Sequence, residues 1–265
     1  RWSYMSESRL RKLAADFQEY DVPCDALYMD IDYMRGFRCF TWDRERFPTL
    51  DELARDLKEA GTKLVSMIDP GIKKDPQFDV YRDGIQGGYF CRTPDGQVFH
   101  APVWPGLCGF PDFTDPDVRA WWGTLYKDLV ETGITGFWND MNEPAAFAAP
   151  ETSTLPDAVQ HAFEGRGGDH REGHNLYGMQ MVRATRAGLE RLQPDKRLTI
   201  ITRSGWAGVQ RYATSWTADN ASTWPSFRLT VPMMLGLGLS GIGFTGPDIG
   251  GFIGDADGEL YTRWV

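Results

Sequence analysis

Short apolar runs that each end at an ionisable residue alternate with helix-like stretches along this chain. That alternation restricts the fold more than any other feature. The runs are Ala26 to Asp32, Lys63 to Asp69, Gly136 to Asp140, Leu198 to Ser204, Thr214 to Asp219 and Gly241 to Asp248. Their nearly continuous apolar character is that of strands covered on both faces, as in a parallel sheet flanked by helices. Between them, Thr49-Leu50-Asp51-Glu52 has the capping-box pattern, in which the Thr hydroxyl and the Glu carboxylate satisfy free amides; Gly61 ends the helix it opens. Asp115-Pro116 opens a second helix, which carries Trp121, Trp122, Leu125, Leu129 and Val130 and stops at Gly133. His174 to Leu192 and Trp224 to Leu237 read as two more, the latter despite Pro232, and another starts near Glu259. Leu229 to Phe244, interrupted by Pro232 and glycines, is too short for a membrane span and is expected to be buried α/β core.

With a stub at Arg1 to Tyr4 counted, about seven β/α units are present. The fold class is therefore α/β: a (β/α)8 TIM barrel, incomplete at its C-terminal end. An open doubly wound sheet is the alternative, but the Gly-rich dinucleotide fingerprint is missing after the first strand. Residues 1–265 read as one catalytic-barrel segment, with long loops at about 70–114 and 145–173 as walls of a site. The chain opens Arg1-Trp2-Ser3 without an initiator Met or leader and stops inside a helix at Val265, as expected of a piece of a larger protein.

Charge and residue usage exclude several functions. Asp and Glu number 37 against 28 Lys and Arg, for a net charge of -9, which argues against nucleic acid or an anionic membrane as partner. Cys24, Cys39, Cys91 and Cys108 show no Cys-x-x-Cys spacing and make neither a disulfide scaffold nor a metal motif. Free thiols and the missing leader favour the cytoplasm. His100, His161, His170 and His174 give no metal pattern: His170 and His174 are four apart, but Gly173 lies between them and no Glu follows as in zinc proteases. Neither a metal nor another cofactor is expected. Gly165-Arg166-Gly167-Gly168 lacks the strand and the Lys-Ser/Thr of a phosphate loop, and no Gly-x-Ser-x-Gly elbow exists. Asn220-Ala221-Ser222 fits a glycosylation sequon, but a glycan beside Asp219 would block the proposed mouth, so the match reads as chance.

In an α/β barrel the carboxyl ends of all strands surround one mouth. Asp30, Asp32, Asp69, Asp140, Arg203, Asp219 and Asp248 would converge there. The bland alternative is that such Asp residues only cap the helices that follow. Trp104, Trp138, Trp206, Trp216 and Trp224 flank the set. Aromatic rings beside carboxylates suit a sugar, the rings covering its C–H face and the carboxylates taking its hydroxyls.

Trp138-Asn139-Asp140-Met141-Asn142-Glu143-Pro144 resembles a signature of glycoside hydrolase family 31, the retaining α-glucosidases. Ala26 to Met34 (ALYMDIDYM), Val103-Trp104-Pro105-Gly106, Phe110-Pro111-Asp112-Phe113, His174 to Gly178 (HNLYG), Arg203-Ser204, Trp216 to Asn220 (WTADN) and Asp248 to Phe252 (DIGGF) follow in the family's order. The stretch Ile31 to Met34 is closest to the α-glucosidase and glucosidase II branch. The resemblance implies Asp140 as nucleophile and Asp219 as general acid/base. It implies Asp30, Arg203 and Asp248 as holders of sugar hydroxyls. Trp104, Trp138, Met141, Trp216, Phe252 and Ile68 would form the pocket wall, and Phe147 would stand near the entrance on the leaving-sugar side. The implied activity is exo-cleavage of terminal α-linked glucose from an oligosaccharide, through a covalent glycosyl-enzyme. Arg203 is expected to keep Asp140 ionised, and burial against Trp216 to keep Asp219 protonated. The family's flanking β domains and its sugar-binding His after the last strand have no counterpart in the chain. An α-xylosidase, transglucosylase or α-glucan lyase would share most of these residues, and a carbohydrate-binding protein without catalysis is the alternative of another class.

Overall fold

The computed structural model describes residues 2–149 and 152–265. Its centre is a parallel sheet of Ala26–Met29 (β1), Lys63–Ile68 (β2), Gly136–Asn139 (β3), Thr199–Thr202 (β4), Thr214–Trp216 (β5) and Thr245–Gly246 (β6). Neighbours in the sheet follow chain order from β1 to β6, all parallel. A doubly wound sheet reverses its strand order, so this is the open, partial form of a (β/α)8 barrel. The stub at Arg1 to Tyr4 makes no strand over its described residues 2–4.

Each strand is short because polar residues at its carboxyl end turn the chain out of the sheet. β2 is buried from Leu64 to Ile68. Helix Leu50–Glu59 covers it with Leu50, Leu53, Ala54 and Leu57, one apolar stripe at helical spacing. The expected capping box does not form. Thr49 turns instead to Glu7 of the helix Glu7–Glu19, which the sequence reading passed over: its N–H donates to Glu7 Oε2 (3.0 Å) and its hydroxyl to Oε1 (2.7 Å). Arg11 pairs with the same carboxylate at 2.9 Å, so a buried acid ties two helix starts together. Asp115 caps as expected, accepting from Asp117 N at 2.8 Å. The helix it opens tightens at Leu125, giving Pro116–Thr124 and Lys127–Glu131. The helix after the 145–173 loop begins earlier than expected and runs His170–Leu192, capped by Asp169.

Pro116–Thr124 crosses His170–Leu192 at a pair of glycines. A Cβ on Gly188 would lie 2.3 Å from Gly123 Cα, and one on Gly123 2.7 Å from Gly188 Cα. Gly188→Ala is expected to cost about 2 kcal/mol and lower Tm by about 5 °C. Gly236→Ala, on a helix with no neighbour near its Cβ, should hold or raise Tm. Differential scanning fluorimetry of the complete protein reads both, and equal melting of the two variants would refute the close crossing.

The two long loops are built excursions. The first holds helix Asp79–Gly87 and an antiparallel sheet of Ile72–Lys73, Gly106–Gly109 and His100–Val103. The second holds the antiparallel strands Ala145–Ala149 and Thr152–Thr154, with residues 150–151 outside the described residues, and the pair Gln160–His161 with Gly168–Asp169. The run Leu229 to Phe244, expected in the core, is not buried. Helix Trp224–Leu239 lies at the open end of the sheet beside β6, with Leu235 at 65% and Leu239 at 92% exposure.

Candidate active site

The carboxyl ends of the six strands open on a cavity of about 670 Å³. Asp30, Trp104, Trp138, Asp140, Met141, Phe147, Arg203, Trp216, Asp219, Asp248 and Phe252 line it. Ile68 does not: it is fully buried in the core, and its carbonyl accepts Asp140 N at 3.2 Å. Asp32 also turns away, to Arg46 (3.4 Å) and the Trp2 indole N–H. Trp206 and Trp224 are exposed outside the cavity.

Arg203 organises the acids. Its Nε and Nη2 donate to Glu143 Oε1 and Oε2 at 2.7 and 3.0 Å, a bidentate pair. Nε also lies 3.2 Å from Asp140 Oδ1, and Nη1 donates to Asp219 Oδ2 at 3.3 Å. Asp140 and Asp219, 79 residues apart in the chain, therefore meet at one guanidinium. The turn that aims Asp140 is held from behind. Met141 sits at φ +55, a strained setting for a side chain with a Cβ. Asn142 bridges to Thr202 Oγ1 (2.9 Å) and accepts from Ser204 N (3.1 Å), and Asn139 donates to the buried Tyr126 hydroxyl at 3.1 Å. The Asp219 turn is laced to the loop after β6: Thr217 N donates to Gly246 O, Phe252 N to Asn220 O, and Asn220 Nδ2 to Asp248 O. The Asn220 amide of the sequon is thus part of the site's own scaffold.

Burial decides the protonation of Asp140. It is 7% exposed, and loss of water pushes its carboxyl up to about 7 against the opposing field of Arg203. Arg203 lowers this carboxyl as expected, but burial outweighs it, and Glu143 and Asp219 share the cation. Asp30 is raised to about 6 by burial, although its carboxylate accepts Ile31 N at 2.7 Å and caps the short turn Ile31–Tyr33. Asp248 is raised by burial too. The burial expected for Asp219 is absent, since its side chain is 51% exposed beside Arg203. The capping alternative holds for Asp30. Capping does not account for all of the others: Asp69 and Asp248 each keep a buried carboxylate oxygen without a donor among the described residues, and Asp140 also faces Arg203 at 3.2 Å.

Glu143 was missed as a partner of Arg203, and Trp2 was missed as a residue of the cavity wall. The Trp2 ring lies 6.3 Å from Trp104, whose ring stands edge-on to Phe147 at 5.0 Å. The three form an aromatic arc along the rim. Away from the cavity, Cys91, Asp112 and His161 lie close enough to surround an ion. The Asp112 oxygens are already engaged with Thr114 N, Thr114 Oγ1, His161 Nδ1 and Ala162 N, and Cys91 turns its thiol to Pro111 O. His161 Nε2 in turn meets His170 Nδ1 at 2.9 Å. Burial drives His170 down to about 3, so it is a neutral link in this network. The cluster fastens the second loop to the first.

The family model described as "Glycosyl hydrolases family 31 TIM-barrel domain" matches residues 1–265. Alpha-glucosidase 2 of Bacillus thermoamyloliquefaciens is 47% identical over 265 residues, which cover 100% of this chain and 33% of that protein. Among solved structures, the glucosidase II alpha subunit in its alpha3-Glc2-bound form superposes with a TM-score of 0.93 at 34% identity, over 100% of this chain and 29% of that one. A Family 31 alpha-glucosidase from Bacteroides thetaiotaomicron gives 0.87 at 44% identity, over 100% and 42%. The chain spans about a third of the length of the curated relatives it matches.

Proposed function

Since the chain belongs to glycosyl hydrolase family 31, we propose that the protein carrying it is a retaining, exo-acting α-glucosidase that removes terminal glucose from α-glucosides. The observation that carries this reading is the meeting of Asp140 and Asp219 at Arg203 inside a cavity walled by Trp104, Trp138, Trp216 and Phe252. The name of the Bacillus relative and the bound alpha3-Glc2 of the glucosidase II alpha subunit support it.

Asp140 attacks the anomeric carbon from the β face as the bond to the leaving oxygen breaks, giving a β-glycosyl ester. Asp219 gives its proton to the leaving oxygen, then takes one from the water that opens the ester with a second inversion. A bound sugar displaces water from the mouth and covers Asp219, supplying the desolvation its exposed position lacks. Asp30 and Asp248, partly buried and held by backbone contacts, accept sugar hydroxyls. Trp138 and Trp216, edge to face at 5.3 Å, give the pyranose an apolar wall.

A panel of glucose disaccharides assayed on the complete protein, with NMR of the first product, tests the reaction. α-Glucose appearing before mutarotation supports it, and β-glucose overturns it. An unsaturated anhydro sugar would place the protein among the lyases, and equal use of α-xylosides among the xylosidases. Asp219→Ala should lower kcat on unactivated substrates by about 10²–10⁴-fold. Azide should restore turnover of aryl glucosides with good leaving groups and, by opening the β-glycosyl ester with inversion, yield α-glucosyl azide. Unchanged kcat would remove Asp219 from its role.

A further inference from the structure

Asp69 is the strand-end acid that the mechanism above leaves unused. It follows β2 as Asp140 follows β3. The register Ile68 to Asn139, extended by Asp140 N donating to Ile68 O, sets the two residues side by side at adjacent strand ends. Both are buried, at 6% and 7% exposure. Asp69 Oδ1 is sealed from solvent with no hydrogen-bond donor among the described residues, while Asp140 Oδ1, equally sealed, has the Arg203 Nε at 3.2 Å. The groups facing Asp69 are Asp140 and Glu143 beyond β3, Arg203 beyond β4, and Asp30 beyond β1. Cys39 donates its thiol to the Asp69 carbonyl at 3.2 Å, and Cys108 and Tyr33 stand close by.

One cation serves this whole set. Arg203 spends its contacts on Glu143, Asp140 and Asp219, and no ion pair reaches Asp69 among the described residues. Two neighbouring buried carboxylates cannot both hold a charge cheaply, and the one without a cation keeps the proton. We propose that Asp69 holds the proton of this carboxylate pair and, as a neutral acid, positions Asp140 in its ionised form. This rests on the reading of Asp140 as nucleophile.

The orphaned Asp69 oxygen then gains a role: a protonated Asp69 is a donor, and ionised Asp140 is an acceptor beside it. Burial first, and the Asp140 charge second, hold the Asp69 carboxyl well above the usual carboxylate range. Asp140, with its guanidinium contact, is the member that ionises first. No proton leaves Asp69 during turnover, so it is a positioning residue rather than a catalytic one.

The test compares Asp69→Asn and Asp69→Leu in the complete protein. Asn keeps a neutral donor, so the acidic limb of kcat/KM for an aryl α-glucoside should stay at the parent's pH. Leu removes the donor, and kcat should fall about tenfold or more with KM little changed, most of the loss being recovered by Asn. A limb displaced about one unit or more to lower pH in Asp69→Asn would mean that Asp69 is charged in the working enzyme, and overturns the proposal. So does a Leu variant with the parent's kcat. Where the Leu variant does not fold, infrared difference spectroscopy decides: at about pH 9, where Asp140 and Asp30 have ionised, the parent should show a protonated carboxyl band that Asp69→Asn lacks, and the same band in both refutes the assignment. An active Asp140→Ala variant would sink the nucleophile reading without altering that infrared result, so the two failures are distinguishable.

Discussion

Asp140→Ala in the complete protein should lower kcat/KM for unactivated α-glucosides by about 10⁴-fold or more, since no other group supplies the covalent step. Burst kinetics and trapping of a glycosyl ester should vanish together. The fold should survive and, above pH 4, gain. Asp140 is raised to about 7 by burial, while its unfolded value is near the usual 3.8. Below about pH 4 both states hold the proton and the residue costs nothing through linkage. Between about pH 4 and 7 the unfolded chain releases it first, so the parent loses stability as pH rises, and above about 7 the loss is constant. The Tm of Asp140→Ala minus that of the parent should therefore grow across that window, as thermal melts at several pH values would show. Residual turnover near the parent's, or a difference that shrinks with pH, would remove Asp140 from its assigned place.

Arg203→Met should be the most damaging change at the site that leaves all the acids in place. It deletes a cation that is 15% exposed and contacts Glu143, Asp140 and Asp219. Breaking a buried ion pair from one side costs about 3–5 kcal/mol, although proton uptake by the stranded carboxylates relieves part of it. Arg203 opposes the burial that raises Asp140, so its loss raises that carboxyl above about 7. The acidic limb of kcat/KM should move to higher pH, and activity at neutral pH should fall by about 10²–10³-fold. Arg203→Lys should recover charge but not the fork to Glu143. A limb that stays in place in Arg203→Met would show that the cation does not act on the nucleophile.

The sequence made the barrel legible because strand burial and helix caps are local and periodic. Strands Lys63–Ile68 and Gly136–Asn139 stand where apolar runs end in Asp, and Asp140 at the end of the second lines the mouth with Asp30, Asp219 and Asp248, whereas Asp69 is not among its lining residues. Pairings between distant segments leave no such pattern. Glu7 took the place assigned to Glu52 at Thr49, forty-two residues away. Glu143 was visible as a letter of its motif, but its grip on Arg203 needs β3 and β4 adjacent. The pull of Arg203 on Asp140 has the expected direction, but the burial that outweighs it, and the sharing of that cation among three acids, depend on packing between strands. Ile68 was misplaced because a strand's last apolar residue can face core or mouth, and a strand buried from Leu64 to Ile68 carries no alternation to tell which.

The uncovered side of helix Trp224–Leu239 has a colloidal consequence. Leu229, Val231, Leu235 and Leu239 present oily surface to water, and -9 of net charge at pH 7 keeps such molecules apart. The isoelectric point is near 5.0, so these 265 residues prepared on their own should clump and scatter light most strongly as the solution is acidified toward that value. A single Leu235→Lys exchange should keep them dispersed.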